Sequence, residues 1–550
     1  MSGPPPHAPL GFAVAVTGHR PARIVDPEAV HQRIAELLEQ LAAILGSTPR
    51  LVSALAEGTD RIGAEAALAA GAALEVVLPF RAAEYERDFP EAPACDHFRT
   101  LLARAEAVLV LDGAADSRDR AYEAAGKALL DNCDLVVAVW DGQPGRGRGG
   151  TFEIMAEAAL RGLPLVVITP DGRDASLRLP ALAGQGAKRV EDLREAPLSE
   201  LPSVVLQIAN LPNAKAQEQW LAAASLPRTS WVHGAYPLLL RLIGLGKKKR
   251  RGGAQAPPEP PPPSLLEQAF AWWDGSATVA AQAFRSAVIV NFALAALAVL
   301  LAAFSVLAET AKWLFVVAEV AVILLLLVNT WHAGRDRWQE RWLEAREVAE
   351  MLRVTLMLRA AGIGRGIGDA GESVGGAAYV RALARAAPLP AANLSDPAAG
   401  GRALVEEVAG QAGWNEANEK RMHRAAHRIE RIGESLFAAV LVAAIGWLIL
   451  YLAAPDIAGR FKYALTAVTA GFPAVATASY GIRIILDFEG VAERSRRMAA
   501  ALRALIARWE AGPQTAAAFQ AFAGEAADIM LGDVAAWRLL AEGRRLAIPG

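Results

Sequence analysis

Cysteine is nearly absent. The chain has two, Cys95 and Cys133, in 550 residues. That excludes a disulfide framework and, by spacing alone, a cysteine metal site, and it favours a reducing, cytosolic setting for the first half. A charge excess of one sign is also missing. Lys plus Arg number 56 and Asp plus Glu 58, a net charge of −2, so nothing global argues for nucleic acid as a partner. Met1 to Pro9 is proline-rich and lacks the apolar core of a signal peptide, so none is expected there. His423 and His427 stand one helical turn apart without the glutamate of a zinc-hydrolase motif. They read as solvated, and no metal is expected.

What the chain has in quantity is apolar surface. Hydrophobic residues make up 53%, and mean hydropathy is +0.25. The length suits about two to four domains. In the first stretch, residues 10–245, apolar runs alternate with helical segments. Strands are expected at Phe12–Thr17, Leu51–Ala56, Leu74–Pro79, Ala107–Leu111, Leu135–Trp140 and Leu165–Ile168. Pro27–Leu45, Asp60–Ala70 and Phe152–Arg161 are among the helices expected between them. Continuous apolar strands alternating with helices predict an α/β, Rossmann-like parallel sheet covered on both faces, with ligands at the carboxyl ends of the strands.

Residues 246–264 form a linker, with basic Lys247–Arg251 followed by a proline tract from Pro257 to Pro263. Proline at this density predicts a semi-stiff extended spacer. The basic run is expected to meet anionic lipid headgroups, in preference to nucleic acid. Beyond it, Ser286–Leu307, Lys312–Trp331, Ser435–Ala454 and Tyr463–Leu486 each reach the roughly 20 apolar residues that cross a bilayer. Two short connections make two hairpins, one with its trailing helix in 265–361 and the other in 435–550. The segment 362–434 reads as loose from Gly362 to Gly401 and as a charged helix over Trp414–Gly433. An all-α membrane domain with cytoplasmic helices is predicted. Arginines crowd the ends opposite the short connections, which predicts that both termini are cytoplasmic. Arg346–Arg353 and Arg496–Arg503 share the pattern Arg-x-x-Ala-x-x-Leu-Arg after the second and fourth spans, which suggests a repeat.

Three strand ends carry turn chemistry. The first is Thr17-Gly18-His19-Arg20, where Gly18 permits a tight turn and Arg20 can grip a phosphate. The second is Ala56-Glu57-Gly58-Thr59-Asp60-Arg61, in which Thr59 and Asp60 also suit a simple helix cap. The third is Trp140-Asp141-Gly142 leading to Gly147-Arg148-Gly149-Gly150-Thr151, a glycine-rich helix start of the kind that cradles phosphate. Asp141 is a candidate acceptor for a ribose hydroxyl. Tyr122 is a candidate for stacking on a base, or for ordinary helix–sheet packing. In the spans, Glu319 is a pore or inter-helix candidate, or is protonated or snorkels near the outer face, with Asn291 as its candidate partner or as an inter-subunit contact. Pro473 is expected to kink the fourth span.

Val16–Arg20, Ser53–Asp60 and Cys133–Gly142 with Gly149-Gly150-Thr151 together resemble the SLOG superfamily, which includes the Smf/DprA and LOG proteins. The likeness covers residues 11–170 well and 171–245 poorly. LOG hydrolases carry Pro-Gly-Gly-x-Gly-Thr-x-x-Glu and an upstream Arg-Lys pair. Here Ile154 falls where that glutamate belongs, with Glu153 one residue earlier, and Ala125 and Gly126 stand at the basic pair, with Lys127 out of step. The resemblance therefore implies nucleotide binding more than glycosidic hydrolysis, and no catalytic residue is assigned. The membrane half is similar in architecture to SLATT-type effectors, which accompany SLOG sensors in bacterial nucleotide-signalled defence. The resemblance implies a homo-oligomeric inner-membrane effector that binds a nucleotide-derived second messenger, needs no resident cofactor, and permeabilises the bilayer in antiphage defence. The alternatives are a membrane-tethered nucleotide or nucleoside-monophosphate hydrolase, with Glu153 or Glu57 as acid/base, and a ligand-independent channel or scaffold.

Overall fold

The computed structural model describes residues 4–89, 91–143, 149–180, 189–224, 232–245, 263–307, 311–364, 374–390, 392 and 394–542. The basic run Lys247–Arg251, the proline tract up to Pro262, and Gly147 and Arg148 of the glycine-rich turn lie outside these.

Eight strands form one sheet: β1 (Ala13–Gly18), β2 (Arg50–Ser53), β3 (Leu74–Leu78), β4 (Ala107–Val110), β5 (Leu135–Val139), β6 (Leu165–Ile168), β7 (Ala175–Leu179) and β8 (Arg194–Ala196). Their order is β4-β3-β2-β1-β5-β6-β7-β8. The pairs from β4 through β6 are parallel, and β7 and β8 add an antiparallel edge. The six expected strands are all present, with ends shifted by up to three residues. β7 and β8 were not expected, because their short, charge-bearing sequences lack a continuous apolar run. The chain winds outward from β1 in one direction and returns to β5 on its other side, so the topological switch lies between β1 and β5.

Alternate residues of each strand serve opposite faces. Val14, Val16, Leu51, Val76 and Val137 face a core shared with α1 (Pro27–Leu45), α2 (Thr59–Ala69), the short α3 (Ala82–Tyr85) and α4 (Ala92–Ala103). Ala13, Ala15, Val52, Val77 and Ala138 face α5 (Arg118–Leu130) and α6 (Thr151–Leu160). α7 (Leu201–Ile208) closes the first core. α8 (Ala214–Ala223) and α9 (Ala235–Leu242), grouped with the sheet in the sequence, pack instead on the helical half: Leu221 joins the cluster around Trp273 and Tyr379, and Leu240 joins Met422 and Phe488.

The helical half consists of α10 (Leu265–Ser305), α11 (Lys312–Arg335), α12 (Trp338–Ala360), α13 (Gly376–Ala386), α14 (Pro397–Ala453), α15 (Pro455–Leu486), α16 (Phe488–Ala511) and α17 (Ala516–Glu542). Its four hydrophobic segments are long and apolar enough to cross a membrane. In the apolar window of α14 no residue is buried. A surface that apolar needs lipid or another protein around it. α10 packs against both α11 and α15, and α15 against α14, so α10 and α15 take the central places. Gly471 and Gly481 of α15 press on Leu300 and Phe292 of α10, where a side chain would collide. α15 runs on as a helix through Pro473.

The two hairpins match in detail. In each, the second span breaks from its trailing helix at one left-handed residue that is not glycine, Arg337 (φ 50°) before α12 and Asp487 (φ 49°) before α16. Each trailing helix then packs back on the long helix of its own hairpin, α12 on α10 and α16 on α14. The stretch expected to be loose is largely ordered: α13 buries Tyr379, Val380 and Leu383, and α14 starts at Pro397 with Asp396 capping it through Ala399 N–H. Its alanines carry little pattern, yet they pack closely once neighbours are present.

The sheet and the helices share one core. Val354 and Leu358 of α12, Leu404 and Val408 of α14, and Phe519 of α17 lie in the same buried cluster as Ala13, Val52 and Leu109. Polar ties reinforce it at both ends of the strands. At the amino ends, buried Glu75 binds Arg50 (2.8 Å) and Leu389 N–H (2.9 Å), and Asp134 binds Arg385 (3.1 Å). Beyond β4, the Ala516 N–H that opens α17 donates to Asp112 (2.7 Å).

Candidate functional site

Of the expected site residues, Thr17 to Arg20, Glu57 to Thr59 and Asp141-Gly142 fall at the carboxyl ends of β1, β2 and β5, Gly149 to Glu153 open α6, and Tyr122 lies on α5. Register places Gly18 beside Val139, so the turns after β1 and β5 meet at the switch point. Gly18 must be glycine, because any Cβ would collide with the Thr59 side chain. Thr59 joins the first two turns: its N–H (3.2 Å) and hydroxyl (3.1 Å) both donate to the His19 carbonyl. Gly58 has φ +101° and lies against that same carbonyl. Glu57, half-buried, stands in the turn just before it. Thr17 is the half-buried residue that leads β1 into the crevice.

His19 is buried. Its Nε2 is 3.0 Å from the Asp141 backbone N–H and 3.2 Å from Asp141 Oδ1. One nitrogen cannot accept from the amide and donate to the carboxylate together, so only one of the two contacts is a hydrogen bond at a time. Asp141 Oδ1 also accepts from Gln143 N–H (3.1 Å), and Oδ2 faces Arg23 at 3.6 Å. Burial pushes the Asp141 carboxyl up, but the Gln143 N–H, His19 and Arg23 more than offset it and hold it below the usual range. Asp141 therefore organises the turn, and a ribose hydroxyl would have to share its oxygens. Gly142, next in line, turns with φ +78°.

The glycine-rich turn is only partly described. Gly149 has φ +76°, and a Cβ there would stand 2.8 Å from the Tyr122 Cβ. Gly150 is the N-cap of α6, and Thr151 is its first residue. Glu153 reaches back to accept from Gly149 N–H (2.6 Å), so this carboxylate caps the turn. Tyr122 packs edge-on against Phe80 (5.8 Å) and gives its hydroxyl to Asp88. It takes the packing role foreseen as the alternative to base stacking.

The sequence offers Asp60 only as a cap, places Arg61 in the same turn without a role, and does not single out Asp88 or Arg118. The N-cap of α2 is in fact Gly58, and Asp60 is buried in the second residue of the helix. Burial pushes its carboxyl up to about 7, against the pull of Arg20 and of the Ala56 and Ala54 N–H groups. Arg61 donates to the carbonyl of Leu55 (3.0 Å), itself left-handed at φ 54°, and stacks on Phe89 at 4.2 Å. Arg118 binds Glu84 and Asp88 at 2.8 Å each. Only burial and charge together reveal these roles. Arg20 is exposed, yet close enough to act electrostatically on Asp60, Tyr85 and Tyr122. It is the guanidinium at the mouth of the crevice, suited to a phosphate.

In the spans, Asn291 does not pair with Glu319. It donates to Thr330 (2.8 Å) and accepts from Asn329 (2.7 Å), which also donates to the Ala287 carbonyl (3.2 Å). Helix geometry keeps the expected pair apart: Glu319 lies ten residues before Asn329 on α11, about 15 Å along the axis. Glu319 is half-buried, towards the Lys312 end of α11. The Asn329-Thr330 pair in the sequence was the missed signal. Among the described residues no group of three or more His, Cys, Asp or Glu side chains is placed to hold a metal ion. Compared with known proteins, the chain matches no family model and no curated protein.

Proposed function

We propose that the chain is a membrane effector whose cytoplasmic sheet senses a nucleotide-derived messenger and whose spans then permeabilise the membrane. One observation carries the reading: the sheet bearing the crevice shares a buried core with helices that run on into the apolar spans. α17 starts against Asp112, just past β4, and extends to the helices below the spans. A ligand that prefers one arrangement of the crevice can thus shift the spans directly, by its differential affinity for the two states. The SLOG-like motifs and the arginines at one side of the spans support a bacterial inner membrane with both termini cytoplasmic and a role in antiphage defence. α11 and α14 flank the central α10 and α15 and offer apolar outer faces, so a conducting path would form between copies of the chain.

The test is dye release from liposomes carrying the full chain, screened against cyclic oligonucleotides, cyclic ADP-ribose types and ordinary nucleotides. One ligand is expected to trigger release, and Arg20→Gln is expected to weaken it about tenfold or more, the scale of a lost charged hydrogen bond. Arg20 is exposed, so the fold should survive, whereas Gly149→Glu would also strain the turn. Release independent of every nucleotide would sink the sensor reading. The buried acid Asp60 favours a second reading, nucleotide hydrolysis in the crevice. Turnover in the same samples that disappears in Asp60→Asn would establish it.

A further inference from the structure

The helical half holds a partly open cavity of about 620 Å³ between α9, α10, α12, α14, α16 and α17. It lies just inside the span ends, reaching Arg285 and Leu486. Six arginines line it, Arg241, Arg285, Arg346, Arg353, Arg421 and Arg494, against two carboxylates, Glu350 and Asp533. Five separate helices bring these like charges together, which is unfavourable unless an anion is there to meet them.

Part of the charge is met internally. Arg353 and Arg346 bind Glu350 and Asp274, and Arg494 binds Asp487 at 3.3 Å. Arg285 is different. Its guanidinium lies over the rings of Tyr236 (5.2 Å) and Trp342 (5.0 Å), contacts that orient the cation without neutralising it. Among the described residues neither Arg285 nor Arg421 meets a carboxylate. Burial pushes the Asp533 carboxyl up, against the pull of Arg494 and Arg346.

We propose that this cavity binds a phosphate-bearing anion, with the arginines on the phosphate and the Tyr236 and Trp342 rings as the wall against its organic body. Pockets for such ligands span about 300–1,000 Å³, so a lipid headgroup or a mononucleotide fits. The anion comes either from an anionic phospholipid of the adjacent leaflet or from a soluble phosphate compound. The site is separate from the sheet crevice and stands whether or not the crevice senses a nucleotide.

The full chain in detergent, followed by native mass spectrometry, tests this with dioleoyl phosphatidylglycerol, dioleoyl phosphatidylcholine, ATP and pyrophosphate as probes. At least one anionic probe is expected to bind better than phosphatidylcholine. The double variant Arg285→Gln/Arg421→Gln is expected to weaken it about tenfold or more. Arg497→Gln, an exposed arginine outside the cavity, should leave binding unchanged. Preference for phosphatidylglycerol identifies the leaflet as the source, and preference for ATP or pyrophosphate identifies a soluble ligand. The crevice is itself a proposed phosphate site, so a signal that belongs to the cavity must persist in Arg20→Gln. No binding by any anionic probe overturns the proposal, as does undiminished binding in the double variant. If the double variant misfolds, Arg421→Gln alone decides by the same criterion.

Discussion

Asp60 holds its proton to about pH 7 because it is buried, and Arg20 offsets that burial only in part. An acid whose folded pKa lies above its unfolded value costs stability once it must ionise. The penalty is absent below the ordinary value of 3.8, grows as pH rises, and is complete above about 7. Asp60→Asn removes the titration. Thermal melts from pH 4 to 8 should therefore show the wild type losing ground to the variant as pH rises through this window. Parallel melts across the range would mean that Asp60 is ionised throughout. At the same scale, Thr59 shows how a residue legible as a helix start acquires another task. Its type suits a cap, but only the fold brings the His19 carbonyl to its hydroxyl.

Close approach between elements rests on glycine where the spans meet. Gly481 of α15 lies against the Phe292 ring of α10, so Gly481→Val should force the two helices apart at a cost of about 1–3 kcal/mol. Gly446 of α14 has nothing within 4 Å of its would-be Cβ, and Gly446→Val should be neutral. Melting points of the two variants in detergent check this, and equal effects would refute the α10–α15 packing. The hairpins were readable because a run of roughly 20 apolar residues is long enough to cross a bilayer and too apolar to sit comfortably in water. The left-handed breaks at Arg337 and Asp487 were not, because residues other than glycine adopt that conformation only uncommonly. Packing of each trailing helix on its own hairpin holds them.

In the whole molecule, the sheet is not a free module on a linker. Its Ala13–Val52–Leu109 face is completed by α12, α14 and α17. A chain ended at residue 213 keeps all eight strands and α1–α7 but bares the part of that face that α12, α14 and α17 cover beside α5 and α6. It should aggregate, or bind a hydrophobic dye, while the full chain in detergent stays monodisperse. A stable, soluble 1–213 fragment would show that the shared core contributes little. On the proposed sensor reading, the shared core makes α12, α14 and α17 the direct route from the sheet to the spans.

By itself the sequence determined the elements whose signal is local. Strand–helix alternation predicted the parallel sheet, long apolar runs predicted the spans, and glycine at strand ends marked where a crevice would form. These follow from periodicity and from the cost of leaving backbone or apolar surface unsatisfied. Tertiary structure alone decided the rest. It paired Asn291 with Asn329 in place of Glu319, turned Tyr122 into packing, and ordered 376–390 against the sheet. It also gathered six distant arginines around one cavity. Each of these depends on which residues far apart in the chain become neighbours, and the energies of burial and charge pairing that govern them exist only once the neighbours are in place.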